Sequence, residues 1–447
     1  MNPVVIVGGG LSGLAAAVHL SSRRIPVLLL EQRKFPGGRA YSFIDDSTGT
    51  VIDNGQHVLI AGYKRTMEFL GMIGTRDRLR VQGAPEFVFH HPARGFCSFR
   101  LPLLPSPLHL LGGIITTDLF SAADKLRLLR AGAALRSFRE GAAGTMTVDV
   151  WLDSLGQSAE TKRSFWEPLA VAVMNERIGV ASALVFIRAL RTAFLSGARV
   201  AALAIPTVGL SELYVKPART FIERQGGVLR CGADVTGSVL DGENVAGVRL
   251  KEGETIGCSA VILAVPSYRA ASLLPAPLRE TGYLAPAASI PLSPIVSVHL
   301  WFEEDVMPQE TLGVIGRRVQ WVFNRRKIGH ENEKTGGGHI SAVISAAHAF
   351  VEMGNDELTR IVLEDLEAIY GRNAGHATHA VVIREKRATF SCTPEVERIR
   401  PGCMTPVPNL FIAGDWTDTG YPATIEGAII SGERCAMRVM ALFEGRK

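Results

Sequence analysis

Glycines near the N-terminus have the spacing that a pyrophosphate-binding turn requires. Gly8, Gly10 and Gly13 form the pattern G-x-G-x-x-G. Gly8 allows a tight turn, Gly10 lets a pyrophosphate approach the backbone, and Gly13 lets a helix pack closely on a sheet. The first N–H groups of that helix, from Leu11 and Ser12, have no partner within it and can hold phosphate oxygens. The chemistry indicated is nucleotide binding.

The segments around these glycines predict the strand–helix–strand unit that would position them. Val4–Val7 is a β-branched run typical of a buried parallel strand, and Leu11–Arg24 has apolar residues at helical spacing. Pro26–Leu30 predicts a second buried strand with Glu31 at its tip. A carboxylate there accepts hydrogen bonds from ribose hydroxyls and disfavours a 2′-phosphorylated nucleotide. A glycine pattern alone is weak evidence for nucleotide binding. A strand, the glycines, a helix, a second strand and an acidic residue in this order make a chance match improbable.

The residues after Glu31 distinguish FAD from NAD. Gly37, Gly38 and Arg39 complete the pattern E-x(5)-G-G-R-A. This pattern resembles the flavoprotein family of amine oxidases, carotenoid desaturases and squalene-pathway desaturases. The resemblance implies an FAD cofactor, with Gly38 among the residues that bind it and Arg39 paired with its phosphates. A glycine turn beside a solvated arginine is the alternative, which the spacing disfavours.

A second cofactor-binding pattern lies near the C-terminus. Asn409–Ala413 predicts a buried strand that leads into Gly414 and Asp415, and Thr424 opens a final helix. A helix N-terminus stabilises negative charge, such as that of a reduced flavin. The resemblance implies that Asp415 contacts the ribityl–phosphate region and that the backbone of Ile425 faces the flavin pyrimidine oxygen. Because no cysteine closely precedes the loop at Gly420–Ala428, we expect FAD to be bound non-covalently.

Polar residues interrupt an otherwise apolar stretch at residues 50–60. Asp53–His57 predicts a buried strand that opens into a glycine-containing loop. The resemblance implies that this segment, with Gly55, returns towards the flavin ring. Gln56 and His57 are our candidates for a polar catalytic group. His57 has two interpretations, because it either bonds backbone partners at a strand end or faces substrate and flavin.

Apolar segments between residues 228 and 265 predict further strands. Val228–Cys231, Asp234–Leu240 and Val245–Leu250 read as antiparallel strands, and Ser259–Val265 as a buried one. The resemblance implies that this block returns the chain to the FAD-binding domain, where the backbone of Val235 holds the adenine.

The expected fold is α/β, with a Rossmann-like FAD-binding domain interleaved with a substrate domain of helices and a mixed sheet. We expect the first domain at residues 1–85, 205–270 and 401–447, and the second at 86–204 and 271–400. Within the second, Ile295–Phe302, Val319–Phe323 and His339–Ser345 predict strands, and Asp356–Tyr370 predicts a helix.

Other polar residues of the substrate domain leave alternatives open. Asn175 interrupts an apolar helical stretch, where it either points into a substrate tunnel or caps a helix. His376 and His379 read as loop residues, and their surroundings lack the spacing of a metal site. No metal is expected.

The stretch from Arg100 to Ile115 is apolar, contains three prolines and has no acidic residue. Because prolines break a continuous helix and long apolar loops are uncommon in cores, we favour a lip that dips into a membrane surface. A buried connection is the alternative. The basic residues of Lys125–Arg139 would flank the lip, although a solvated helix face explains them equally well.

The composition limits the classes of function. The 447 residues are 47% hydrophobic and carry a net charge of +5, which favours a globular protein and does not indicate nucleic-acid binding. The six cysteines contain no C-x-x-C pair, which favours reduced thiols and a cytoplasmic protein. The N-terminus lacks a signal-peptide pattern and no apolar stretch is long enough to span a membrane, so we expect peripheral membrane contact.

Several segments together narrow the resemblance. D-N-G-Q-H-V-L, R-L-P-L-L-P-S-P-L-H-L-L, W-E-P-L and G-D-W-T-D-T-G-Y-P-A-T-I-E-G-A resemble the hydroxysqualene dehydroxylases, the squalene-associated FAD-dependent desaturases of bacterial hopanoid pathways. The resemblance covers the whole chain. It implies reductive removal of an allylic hydroxyl from hydroxysqualene, an isoprenoid lipid, with hydride from reduced flavin and squalene as product.

Three other functions share parts of this pattern. A carotenoid-type desaturase would share the FAD motifs and the apolar entrance. An amine oxidase needs paired aromatic residues near the flavin, and aromatic residues are only 7% of the chain. A prenyl-binding escort protein of the Rab GDP-dissociation-inhibitor type has a related fold without redox chemistry, and the set of Glu31, Arg39 and Asp415 argues against it.

Overall fold

The computed structural model describes residues 2–140, 144–329 and 337–445. The strands are β1 (Val4–Val7), β2 (Val27–Glu31), β3 (Ser42–Ile44), β4 (Val51–Asp53), β5 (Leu59–Ile60), β6 (Leu79–Val81), β7 (Glu86–His91), β8 (Gly95–Arg100), β9 (Leu203–Pro206), β10 (Val228–Cys231), β11 (Val235–Asp241), β12 (Asn244–Leu250), β13 (Thr255–Gly257), β14 (Ala260–Leu263), β15 (Leu292–Phe302), β16 (Thr311–Val314), β17 (Trp321–Asn324), β18 (Gly338–Ile344), β19 (His379–Phe390) and β20 (Leu410–Ile412). The helices are α1 (Leu11–Ser22), α2 (Lys64–Ile73), α3 (Leu108–Thr116), α4 (Ala122–Ser137), α5 (Val148–Ser154), α6 (Ala159–Thr161), α7 (Glu167–Met174), α8 (Ala183–Phe194), α9 (Lys216–Arg224), α10 (Ser267–Leu273), α11 (Ala276–Glu280), α12 (Ala285–Ala288), α13 (Arg325–Ile328), α14 (Asn355–Tyr370), α15 (Pro394–Ile399) and α16 (Ile425–Glu444).

A parallel sheet with strand order β10-β2-β1-β14-β20 joins three distant parts of the chain. Val4 of β1 pairs with Val27 on one side and with Ala260 on the other. β1 is buried on both faces, as its unbroken β-branched sequence predicts for a central parallel strand. The predicted strand–helix–strand unit and α/β class are confirmed.

The helix α1 lies between this sheet and the C-terminal helix α16. Nearly all of its residues are buried, because both the sheet and α16 cover it. Gly432 of α16 lies so close to α1 that a Cβ at this position would be 2.1 Å from the carbonyl oxygen of Ser12. Any side chain at residue 432 would therefore separate the two helices that meet at the glycine-rich turn.

A second, seven-stranded sheet has the order β19-β15-β18-β17-β16-β7-β8. Its pairs are antiparallel except for β16 and β7, so it is the mixed sheet that the sequence predicts. Leu358 and Val362 of α14 pack with Val298 and Leu300 of β15 in one apolar core. The strands come from both segments assigned to the substrate domain, while the domain boundaries stay a prediction.

Two predictions of secondary structure are wrong. Val228–Cys231 does not pair with the strand that follows it but lies parallel to β2, with Val228 opposite Leu28. The preceding helix α9 returns the chain to the edge of the parallel sheet, so the segment completes a crossover instead of a hairpin. His379, predicted in a loop, begins the edge strand β19. Most of β19 is only half-buried and it carries charges, which hides its strand pattern.

Of the two roles predicted for Asn175, substrate contact or helix capping, the structure shows helix capping. It ends α7 in the left-handed conformation, with φ 52°. Its side chain donates hydrogen bonds to the Ser293 carbonyl (3.2 Å) and the Thr389 hydroxyl (3.0 Å), and accepts one from the Ala346 N–H (2.7 Å). Asn175 therefore caps α7 and ties it to the large sheet.

The proline-rich stretch is partly helical, because α3 begins directly after Pro107. Apolar side chains along this stretch are between 38% and 56% exposed: Leu103, Leu104, Leu108, Leu111 and Ile115. In the described parts of the chain, every helix is too short or too polar to cross a membrane.

Candidate active site

The glycine-rich turn is shaped to accept a phosphate group. Gly10 is the N-cap of α1 and no side chain caps the helix there. A Cβ on Gly13 would lie 1.9 Å from the Gly8 carbonyl oxygen, and a Cβ on Gly38 would lie 3.1 Å from the Cα of Gly10. Side chains are therefore excluded, and the N–H groups of Leu11 and the next residues remain open to an anion.

Glu31 is held against the same turn. Its carboxylate accepts hydrogen bonds from the N–H groups of Gly9 and Arg33, both at 2.8 Å. The carbonyl of Glu31 accepts a further bond from the Ala233 N–H at 2.9 Å. This bond brings the segment before Val235 to the end of β2, where the adenosine half of a dinucleotide would lie.

Val235 lies buried at the start of β11. Its carbonyl accepts a hydrogen bond from Nη2 of Arg269 at 2.9 Å, and the same nitrogen lies 2.8 Å from Asp234. The carbonyl is thus already occupied, and adenine binding by the Val235 backbone stays a prediction.

Arg39 and Asp415 form an ion pair across the molecule. Nη2 of Arg39 lies 2.8 Å from Oδ1 of Asp415, and Nη1 donates to the Ala388 carbonyl of β19 at 2.7 Å. The Asp415 carboxylate raises the pKa of Arg39, so the guanidinium stays charged. The first and last cofactor motifs of the sequence therefore meet, and the pair places a cation where phosphates could be bound.

Arg400 holds the loop that carries Asp415, a role that could not be predicted from its neighbours in the chain. Its buried guanidinium donates hydrogen bonds to the carbonyls of Asp415 (3.1 Å), Trp416 (3.3 Å) and Thr417. It also pairs with Glu397 at 2.6 Å. A lone arginine in sequence does not distinguish such a clamp from a surface charge.

The start of α16 is fixed by its own residues. The Thr424 hydroxyl accepts a hydrogen bond from the Gly427 N–H at 3.1 Å, so this side chain caps the helix that begins at Ile425. The buried Glu426 carboxylate accepts bonds from the N–H (2.8 Å) and hydroxyl (2.7 Å) of Thr66 at the start of α2. Burial raises the pKa of Glu426. The two helix N-termini are thereby joined.

His57 and Gly55 lie over the large sheet. Nδ1 of His57 is 2.6 Å from the carbonyl oxygen of Gly55, so Nδ1 carries the proton and Nε2 is left as an acceptor. Burial lowers the pKa of His57, which keeps the imidazole neutral at neutral pH. A Cβ on Gly55 would lie 3.9 Å from the Ser297 hydroxyl of β15.

Gln56 contacts a residue that the sequence did not single out. Its Oε1 accepts a hydrogen bond from Nη1 of Arg325, which is completely buried and also lies 3.6 Å from Asp53. In sequence, Arg325 belongs to the run R-R-K, which resembles a solvated basic segment. Burial of one member of this run could not be predicted from its residue type.

An apolar cluster lies next to these polar groups. It contains Ile205, Phe323, Ile328 and Val343 with their half-buried neighbours Val58, Leu203, Ile295 and Trp321. Val58 follows His57 directly, so the polar loop leads into hydrocarbon-like surroundings. Apolar side chains of this kind suit contact with an apolar substrate and exclude water.

The described residues fit a flavin dinucleotide and give no sign of a metal. We use the term cradle for three features that together would surround the cofactor: the uncapped start of α1, the close-packed glycines and the Arg39–Asp415 pair. Among the residues described, no group of three or more histidine, cysteine or acidic side chains could hold a metal ion. The six cysteines are free thiols.

The chain is similar to known proteins over almost its whole length. The profile of the family described as flavin containing amine oxidoreductase matches residues 11–440. A hydroxysqualene dehydroxylase of Sinorhizobium fredii is 31% identical, and the match covers 97% of this chain and 97% of the relative. A hydroxysqualene dehydroxylase of Rhodopseudomonas palustris is 32% identical, and the match covers 98% of each chain. The 15-cis-phytoene desaturase of Synechococcus elongatus is more distant, at 21% identity over 98% of this chain and 96% of its own.

The fold is likewise similar to solved structures. An oxidoreductase from Methanosarcina mazei superposes with a TM-score of 0.74 at 16% identity, covering 98% of this chain and 100% of that one. With its cofactor cradle and its full-length relatives named hydroxysqualene dehydroxylase, the chain belongs to the family of flavin-containing amine oxidoreductases and is a flavin-dependent oxidoreductase.

Proposed function

We propose that the protein binds FAD non-covalently and removes the allylic hydroxyl of hydroxysqualene reductively to give squalene. The observation that carries the proposal is the near-full-length similarity to two hydroxysqualene dehydroxylases at 31% and 32% identity. The cradle supports a dinucleotide, because Glu31 and the glycine turn would hold an adenosine diphosphate moiety. Membership of the flavin-containing family favours FAD over NAD as that dinucleotide.

The residues divide into a cofactor-binding and a substrate-binding set. Gly8, Gly10, Gly13, Leu11 and Ser12 would hold the pyrophosphate, and Glu31 the ribose. Arg39, Asp415 and the start of α16 at Ile425 would hold the phosphate and flavin ends. When bound and reduced by two electrons, FAD would supply the hydride, so that alcohol, hydride and one proton would give hydrocarbon and water.

The chain itself has to orient the substrate and control protons. The apolar cluster beside Val58 would exclude water, which protects an allylic cation from capture. Hydroxide is a poor leaving group, so its oxygen needs hydrogen-bond donors and finally a proton. His57 is neutral with Nε2 free to accept, so it would relay a proton from water instead of storing one. Gln56 would donate a hydrogen bond from Nε2 to the leaving oxygen, because its own oxygen is bound to Arg325.

A carotenoid-type desaturase is the second candidate. The similarity to a 15-cis-phytoene desaturase favours it, although at 21% identity that relative is clearly more distant. Such an enzyme would share the cradle and the apolar cluster. The two functions differ in the direction of hydride transfer, since a desaturase oxidises its polyene.

One anaerobic experiment separates the two functions. The purified protein is checked for a flavin spectrum, reduced with dithionite, freed of excess reductant and mixed with hydroxysqualene. We expect the flavin to reoxidise with formation of one squalene per flavin. A flavoprotein that is inert towards hydroxysqualene, but whose oxidised flavin is bleached by phytoene, would be a desaturase. A colourless protein that cannot be loaded with FAD would contradict both.

We further propose that the protein lies peripherally on the inner face of the cytoplasmic membrane. Five exposed apolar side chains on and before α3 form what we term the lip: Leu103, Leu104, Leu108, Leu111 and Ile115. Nζ of Lys125 donates to the Ile115 carbonyl at 2.7 Å, which places a cation beside the lip. Arg130 and Arg136 are exposed on the same helix α4. Apolar side chains beside basic ones favour an anionic lipid surface.

A further inference from the structure

The guanidinium of Arg325 is buried without enough partners. The side chain is 0% exposed. Its Nη1 donates to Oε1 of Gln56, whereas Nε and Nη2 have no hydrogen-bond partner among the described residues. Arginine carries its charge at every physiological pH, so burial cannot be relieved by loss of a proton. Two open donors on a buried cation are costly unless a ligand occupies them.

The charge of Arg325 is balanced by Asp53. Nη1 of Arg325 lies 3.6 Å from Oδ2 of Asp53. The other oxygen of Asp53 accepts hydrogen bonds from the Ser42 hydroxyl (2.7 Å) and the Leu210 N–H (2.9 Å), which fixes the carboxylate. The pair is thus close to neutral as a whole, while the Nε and Nη2 side of the guanidinium still presents two N–H donors.

These donors lie where polar and apolar parts of the site meet. Asp53 ends the strand β4, and Gln56 lies in the loop around Gly55 that follows and is predicted to face the flavin. Phe323 and Ile328, on either side of Arg325 in sequence, are members of the apolar cluster. A ligand of Arg325 would therefore have an oxygen acceptor attached to a hydrocarbon body.

We infer that Arg325 binds the hydroxyl oxygen of the isoprenoid alcohol through Nε–H and Nη2–H. This inference rests on the proposed dehydroxylation and identifies the group that recognises the leaving oxygen. A guanidinium offers two parallel donors to one side, which match the lone pairs of an alcohol oxygen. Squalene lacks this oxygen, so the same contact would let the product leave.

The role in the reaction follows from the electron balance. When the C–O bond breaks, its electron pair would leave on the oxygen, which would take one proton and depart as water. The allylic carbon would receive the hydride that a two-electron reduced flavin supplies. Arg325 would stabilise the negative charge on the departing oxygen by hydrogen bonds that strengthen as that charge develops. The proton itself must come from water or His57, since arginine does not release one.

A flavin carbonyl is the other oxygen acceptor that Arg325 could contact. Oxidised holoenzyme separates the two, because it binds ligands without turnover and reports binding through the flavin absorbance. Hydroxysqualene and squalene differ only in the hydroxyl, so the ratio of their dissociation constants measures hydroxyl recognition alone.

The test compares Arg325→Met with the matched control Arg326→Met, which removes the next guanidinium of the same helix. We expect wild type to bind hydroxysqualene more tightly than squalene. In Arg325→Met, affinity for the alcohol should fall about 10- to 100-fold, as for the loss of hydrogen bonds from a charged donor, while affinity for squalene and flavin content stay unchanged. The control should keep both affinities.

Other results would overturn the inference. If Arg325→Met is purified with less flavin but, once loaded with added FAD, keeps the wild-type ratio of the two affinities, Arg325 binds the cofactor. If wild type binds both lipids equally, no group recognises the hydroxyl. Should Arg325→Met not fold because Asp53 is left unpaired, the double variant Asp53→Asn, Arg325→Met removes both charges, and an unchanged affinity ratio in it contradicts the role.

The inference and the proposed function can fail separately. Wild-type enzyme that does not convert hydroxysqualene anaerobically would refute the dehydroxylation and, with it, the assigned ligand of Arg325. Wild-type enzyme that forms squalene, together with an Arg325→Met variant of unchanged selectivity and turnover, would refute only the role of Arg325.

Discussion

Glu31 shapes the glycine-rich turn and is the side chain that we propose to bind the ribose of the cofactor. Its carboxylate holds the Gly9 and Arg33 N–H groups and lies where a ribose would bind. We predict that Glu31→Ala weakens FAD binding about 10- to 100-fold, because it removes a charged acceptor from the ribose site. Titration of apoprotein with FAD, followed by flavin fluorescence, measures this. Glu254→Ala, which removes an exposed carboxylate paired with Arg230, is the control, and equal affinity in both variants would contradict the role.

His57 gives a prediction for pH. Because burial lowers its pKa below 6.5, the unfolded chain binds a proton more readily than the folded protein just below that pH. Stability should therefore decrease as the pH falls through 6.5 and below, and turnover should fall as the neutral imidazole is lost. His57→Asn, whose amide can still donate to Gly55, should show a flatter pH dependence of unfolding and lower turnover. Full turnover with an unchanged profile would remove His57 as a candidate.

Single residues of the candidate site could be predicted from sequence where several of them lie close together in the chain. Gly8, Glu31 and Arg39 stand in one local unit, so their order alone indicates the site. Arg325 and Arg400 act on loops far away in sequence, and nothing near them distinguishes a buried guanidinium from a solvated one. Their roles depend on tertiary packing that residue type does not encode.

Among the elements, the loop at residues 414–419 depends on a side chain of another segment. Removing the guanidinium of Arg400 would leave the buried Glu397 carboxylate and the loop carbonyls without their donor. We predict that Arg400→Met lowers the free energy of unfolding by about 3–5 kcal/mol, the usual cost of breaking a buried ion pair. Urea unfolding of holoenzyme measures this.

The control for Arg400 is Arg398→Met, in the short helix α15 that Arg400 directly follows. Arg398 is exposed and lies 3.8 Å from Glu395, so its loss should change stability by less than about 1 kcal/mol. Equal effects of the two substitutions would show that Arg400 does not hold the loop. Flavin content should fall with Arg400→Met alone, since the loop carries Asp415.

Elements were predictable where their own residues determine them. β1, α1 and β2 follow from their own residues, since the two strands are short apolar runs and the helix has apolar residues at helical spacing. β19 was missed because an edge strand with half-buried, charged residues lacks that periodicity. β10 was recognised as a strand but given the wrong partner, since pairing depends on which way α9 returns the chain.

For the whole molecule, β19 joins the large sheet to the N-terminal segment that carries Arg39 and Asn54. The Asn54 side chain donates to Glu385 of β19 at 3.1 Å, and Arg39 donates to the Ala388 carbonyl at 2.7 Å. The N-terminal cofactor motif therefore binds the edge of the large sheet directly. A strand that the sequence did not show thus fixes the position of the predicted cradle relative to the apolar cluster.

The exposed lip is also a property of the whole molecule, because a protein that accepts a water-insoluble isoprenoid needs a face that meets the lipid phase. The five side chains from Leu103 to Ile115 provide apolar surface, and Lys125, Arg130 and Arg136 provide positive charge beside it. Insertion of apolar side chains and attraction to anionic headgroups act together, so binding should weaken when either is removed. Salt should weaken only the second contribution.

We predict that the triple variant Leu104→Ser, Leu108→Ser, Leu111→Ser lowers sedimentation with phosphatidylglycerol-containing vesicles about 10- to 100-fold, because it removes most of the insertable apolar area. The matched control is Ile44→Ser, Val228→Ser, Met437→Ser, which replaces exposed apolar side chains on other elements. Turnover of hydroxysqualene supplied in vesicles should fall with the lip variant, whereas turnover of detergent-dispersed substrate should stay close to wild type, since the cradle and Arg325 are untouched. Equal vesicle binding by the two triple variants would show that the lip does not contact the membrane.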